Sequence, residues 1–129
     1  MTHLVDPLVQ RRHLAHGQAV RAPWATIVAT LNENLGNAVV AVMAGVTRET
    51  VSRWADPNRK SVPNPSSERR LRDAYAIYAD LVKLDSPHTV RSWFIGSNPY
   101  LGDSSPVETI AADDSKSVFA AAREFRDAG

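Results

Sequence analysis

Four polar side chains, Arg48, Glu49, Ser52 and Arg53, carry the donors and acceptors that reading a base edge requires. An arginine fork donates to O6 and N7 of guanine, serine pairs with several edges, and a carboxylate accepts from the cytosine amine. They lie within 37–56, NAVVAVMAGVTRETVSRWAD, which reads as helix, tight turn, helix. Gly45 ends the first helix by taking a left-handed backbone conformation without steric cost. Thr47 offers its hydroxyl as N-cap of a second helix over 48–55, and Glu49 suits the positive start of that helix. Val46, Val51 and Trp54 form its inward stripe, which leaves the four polar residues outside. The same pattern also serves a helical hairpin whose only role is packing.

No catalytic constellation accompanies these residues. The absence of cysteine excludes disulfides, thiolate metal sites and thiol catalysis. There is no glycine-rich phosphate loop and no H-E-x-x-H motif, and Asp113 and Asp114 are adjacent, so they point different ways on a helix. His3, His13 and His16 crowd the first residues. The spacing of His13 and His16 suits two ligands on one helical face, but no carboxylate or cysteine completes a set. The expectation is a protein that is not an enzyme and holds neither metal nor cofactor.

The pair needs a helix packed behind it. Pro23 suits the first turn of one over 24–34, with Gly36 as its stop. Trp24, Ile27, Val28 and Leu31 form its apolar stripe. Trp24 and Trp54 read as core. After Asp56 comes PNRKSVPNPSSERR, whose prolines, asparagines and serines block regular structure, and Arg59 and Lys60 stand just past the helix over 48–55. A long connector helix is predicted from 65 or 66 to about 84, with Leu71, Ala74, Tyr75, Tyr78, Leu81 and Val82 as its stripe.

Further helices follow. Ser86 and Pro87 start one that carries Val90, Trp93 and Phe94 and ends at Gly96. Ser97–Gly102 is a turn-rich loop. Ser105 and Glu108 form a capping-box arrangement, and a break at 111–114 precedes a last helix over 115–128 with Val118, Ala121, Ala122 and Phe125 on its apolar edge.

The 129 residues allow one domain or two small helical modules sharing a core. No run of 18 apolar residues suggests a membrane span, and the N-terminus lacks the apolar core and cleavage site of a secretory leader. A cytoplasmic location is expected. The net charge of +1 hides an asymmetry: residues 1–72 carry ten Lys/Arg against five Asp/Glu, and residues 73–129 five against nine. That division suggests nucleic acid for the first part and a protein partner for the second.

The segment G-V-T-R-E-T-V-S-R-W resembles the helix-turn-helix of bacterial DNA-binding regulators. A second segment, R-S-W-F-I-G-S-N-P-Y-L-G-D-S-S-P-V-E-T-I (91–110), is similar to the toxin-binding domain of the Xre/MbcA/ParS-type antitoxins. The matching features are Trp93 near a helix end, Asn98-Pro99, Leu101-Gly102, Pro106 before an aliphatic, and a short terminal helix after a polar break. Asp103 stands where the family often has a second glycine. In that family an Xre-like helix-turn-helix precedes such a domain, and the order here agrees over roughly 24–129. The resemblance implies an antitoxin that neutralises a RES-domain toxin, an NAD-consuming enzyme, and that represses its own operon.

The expected protein is therefore all-α, with an N-terminal arm (1–22), a helix-turn-helix module with its loop (23–64), and a connector helix leading into a toxin-binding helical domain (65–129). Arg48, Glu49, Ser52 and Arg53 are assigned to base edges, and Asn37, Arg59 and Lys60 to phosphates. Trp93, Asn98, Leu101, Phe119, Arg123, Phe125 and Arg126 are assigned to the toxin. One recognition helix covers a half-site, and paired half-sites lie about 34–36 Å apart, so a homodimer on operator DNA is expected. The alternative is a stand-alone helix-turn-helix regulator whose C-terminal half dimerises.

Overall fold

A computed structural model describes residues 22–128 of the chain, so the N-terminal arm with His3, His13 and His16 lies outside the described residues. The described residues form seven α-helices and one short 3-10 turn, with no strand among them. The helices are α1 (Trp24–Leu35), α2 (Asn37–Ala44), α3 (Arg48–Ala55), α4 (Pro65–Leu81), α5 (Pro87–Ile95), α6 (Pro106–Ala111) and α7 (Ser115–Ala128). The 3-10 turn, Pro99–Leu101, lies between α5 and α6. No helix among the described residues is long and apolar enough to cross a membrane.

Local chemistry sets the helix starts. Thr47, Asn64, Ser86 and Ser105 each accept the N–H three residues on, satisfying a donor that the first turn would otherwise leave unpaired. The Ser105–Glu108 capping box is closed in both directions. Asn64 is a cap that its proline-rich surroundings conceal. The connector α4 stops at Leu81, short of the expected 84. There the Leu84 and Asp85 N–H groups both turn back onto the Leu81 carbonyl, and Leu84 is 58% exposed, so the apolar period has ended. The stripe of α4 also differs: Ile77 is fully in the core, while Tyr75 and Val82 only flank it.

One continuous apolar cluster runs through all seven helices. From α1 it takes Ile27, Val28, Leu31 and Leu35, and from α2 Val40, Ala41, Met43 and Ala44. Leu71, Ala74, Ile77, Tyr78 and Leu81 of α4 form its middle. Val90 and Phe94 of α5, Val107 and Ile110 of α6, and Val118 and Ala122 of α7 close the far side. Helix α2 packs against α1, α3, α4 and α6, so the helix pair at 37–55 shares its support with the C-terminal helices.

Candidate nucleic-acid and partner interfaces

The geometry of 37–55 follows from its turn. Gly45 has φ 72° and ψ 37°, the left-handed conformation glycine takes most readily. The Val46 N–H donates to the Ala41 carbonyl (3.1 Å) and the Gly45 N–H to that of Val42 (3.2 Å), closing a Schellman-type helix end. The Ala44 carbonyl, left over at the end of α2, accepts from the Ser67 hydroxyl (2.6 Å) and from Arg70 Nη1 (3.2 Å), so α4 grips the turn from behind. Val51 and Trp54 are buried, and Trp54 meets Trp24 edge-to-face with ring centroids 5.1 Å apart. Fully burying one valine contributes about 1.5–3 kcal/mol, enough to fix which face of an eight-residue helix points inward.

Arg48, Glu49, Ser52 and Arg53 are all exposed, as are Arg59 and Lys60 beyond the helix. The loop carrying the last two is folded back: Asp56 accepts the Asn58 N–H on its carboxylate (2.9 Å), and its carbonyl accepts the Arg59 N–H (3.2 Å). Asn37 sits differently from the other six. Its side-chain amide reaches α3, donating to Ser52 Oγ (3.3 Å) and toward the Arg48 carbonyl (3.5 Å). Its Oδ1 is buried without a hydrogen-bond partner among the described residues. Asn37 thus braces α2 against α3, with its donors engaged within the protein. Thr50 was missed by the sequence reading. It accepts from Arg53 Nη2 at 3.0 Å and lies 3.0 Å from the Thr47 hydroxyl.

At the other end, Asn98 is buried and builds a loop. Its side-chain oxygen accepts the Tyr100 N–H (2.9 Å), its carbonyl accepts the Leu101 and Asp103 N–H groups (2.9 Å each), and its own N–H donates to the Ser104 carbonyl (3.1 Å). Every polar group of the residue except the side-chain NH2 is engaged in the loop. Gly102 and Asp103 both adopt left-handed φ, 61° and 69°, so Asp103 occupies a conformation that favours glycine. The apolar pair Tyr100–Leu101 is split, with Leu101 packed on the core and Tyr100 65% exposed.

Trp93 and Phe125 meet with centroids 5.9 Å apart, Trp93 also stacks edge-on against Phe94, and Phe119 flanks the core. Trp93, Phe119 and Phe125 are half-buried, so part of each is already spent on the fold. Arg126 is paired with Asp80 of α4 (2.9 Å), which pins the end of α7, while Arg123 is exposed. The toxin-assigned residues are thereby split between the loop interior, the aromatic cluster and the outer face of α7. Ile95, 47% exposed, and Tyr100 flank the turn between α5 and the 3-10 helix and are absent from the sequence-based assignment.

Asp113 links the two ends. It accepts from Arg69 through both oxygens (2.9 and 2.8 Å) and lies 3.6 Å from Arg70 Nε. The Arg69 bond, opposed by partial desolvation and aided by the charges of both arginines, holds its carboxyl below the ordinary range. Among the described residues no group of three His, Cys, Asp or Glu side chains gathers as a metal site. No protein-family model, curated protein or solved structure matches the chain.

Proposed function

We propose that this protein is a cytoplasmic antitoxin that binds and neutralises a RES-domain, NAD-consuming toxin, and that it represses its own operon by placing α3 in the major groove. The observation that carries the DNA half is the exposure of Arg48, Glu49, Ser52 and Arg53 on a capped helix whose opposite face, Val51 and Trp54, is buried. Two arginines, a serine and a carboxylate on one short exposed helix supply both donors and acceptors for base edges. Arg59 and Lys60, exposed just beyond its end, suit phosphates. The toxin half rests on the resemblance of 91–110. A neutralising surface of standard size buries about 800 Å² per partner around apolar anchors. Ile95, Tyr100 and Arg123 are exposed candidates for that surface, with the outer edges of Trp93, Phe119 and Phe125 beside them.

A stand-alone regulator with a dimerising C-terminal half is the second reading. It is favoured by the internal employment of Asn98, Leu101 and Trp93, because residues that build a loop report a shared architecture more directly than a shared partner. Co-expression with the product of the adjacent gene separates the two. The antitoxin reading expects a stable complex and an NAD-consuming activity that appears only when this chain is removed. Salt-dependent binding to its own upstream DNA with no such partner selects the regulator instead.

A further inference from the structure

Thr47, Thr50 and Arg53 follow one another at spacings of three and share one side of α3. Thr47 Oγ1 caps the helix by accepting the Thr50 N–H at 3.2 Å. The two threonine hydroxyls are 3.0 Å apart, and Arg53 Nη2 reaches Thr50 Oγ1 at 3.0 Å. An arginine only donates, so Thr50 Oγ1 must accept from it, and one of the two hydroxyl protons lies between the threonines. The row is therefore a continuous chain from the helix cap to the guanidinium. Threonine is stiff about χ1, whereas arginine is rotamer-rich, so the chain transfers the rigidity of the cap to a long, exposed side chain. Arg53 spends one N–H on Thr50 and keeps four, more than the two parallel donations that guanine O6 and N7 accept.

We propose that Thr50 is a positioning residue for base recognition: through Thr47–Thr50–Arg53 it presets the Arg53 guanidinium to read a guanine in the major groove. The inference rests on the DNA-binding reading of α3 and adds to it a residue, a base and a mechanism. Arg48, on the same helix, is not held by any side-chain hydrogen bond or ion pair among the described residues, so the effect belongs to one base position rather than to the whole contact. Asn37 braces Ser52 in a parallel way but leaves the arginine row untouched.

The test is selection from a randomised DNA duplex pool by the full chain, comparing wild type with Thr50→Val, Thr50→Ser and Arg53→Ala. Valine keeps the shape and the branched Cβ, and the backbone N–H still meets the Thr47 cap, so melting temperature and the salt dependence of binding to random DNA should hold. Wild type should enrich a motif with guanine at one position, which Arg53→Ala abolishes. Thr50→Val should lower the guanine preference at that same position about three- to tenfold and leave the others alone, and Thr50→Ser should restore it. Enrichment by Thr50→Val of the wild-type motif with unchanged preference overturns the proposal alone. So does a loss spread evenly over all positions, or one at a position Arg53→Ala does not affect. Enrichment of no motif by wild type overturns the DNA reading and this proposal together.

Discussion

At Asp113 the backbone has φ 67°, a conformation aspartate tolerates better than most residues, and the carboxylate answers Arg69 with both oxygens. Its folded pKa is depressed by that bond, so the stabilisation is present above the ordinary carboxylate value of 3.8 and is lost as pH falls through the folded value. Asp114, lowered by the hydroxyl and N–H of Ser117, acts in the same direction. Arg69 stays charged throughout, so only the carboxylates titrate. The melting temperature should therefore fall as pH drops below the ordinary carboxylate value, and Asp113→Asn should flatten part of that fall while costing little backbone strain. A parallel descent of variant and wild type would place the acid sensitivity elsewhere. Gly36 makes a second case. With φ 98° and ψ 148° it lies in territory nearly reserved for glycine, and a Cβ there would meet no atom within 4 Å. Gly36→Ala should cost about 1–3 kcal/mol by urea denaturation through backbone strain alone, with no clash to relieve.

At the scale of the element, helix starts carry the information, because a cap is made by residues three apart. Thr47, Ser86 and Ser105 were legible for that reason, and so was the last helix over 115–128. Thr47→Ala should lower stability by about 0.5–2 kcal/mol, read as a fall of several degrees in melting temperature. It should also weaken specific DNA binding, because it removes the anchor of the arginine row; an unchanged affinity would show that the row does not hold Arg53 for recognition. What was not legible depends on partners remote in sequence. Nothing local announces that Arg69 meets Asp113, that Arg126 meets Asp80, or that Ser67 and Arg70 converge on the Ala44 carbonyl. Asn37 was assigned to a phosphate; only the crossing of α3 over it shows where its donors go. Asn98 was legible as a turn residue, but its burial was not.

At the scale of the whole molecule, the decisive feature is that the core does not divide at the connector. Met43 and Val40 of α2 share a cluster with Ile110 of α6 and Val118 of α7, and Phe94 is completely buried within it. The change from a basic to an acidic sequence near residue 72 thus falls within one apolar interior, and charge asymmetry does not mark a division of the core among the described residues. A continuous core of this size favours a single cooperative transition. Phe94→Ala removes a large side chain from it and should cost about 3–5 kcal/mol. If folding is one event, that loss is felt far from α5. Amide exchange at Val28 and Leu31 of α1 should accelerate by the same factor as at Ile110 of α6, more than about a hundredfold where exchange proceeds through global unfolding. Acceleration confined to α5, α6 and α7 would mean that the helix pair carrying Arg48 and Arg53 folds without them. A partner docked on the C-terminal end would then have no route through stability to α3. Equal acceleration would mean that any such partner, by stabilising one end, steadies the other.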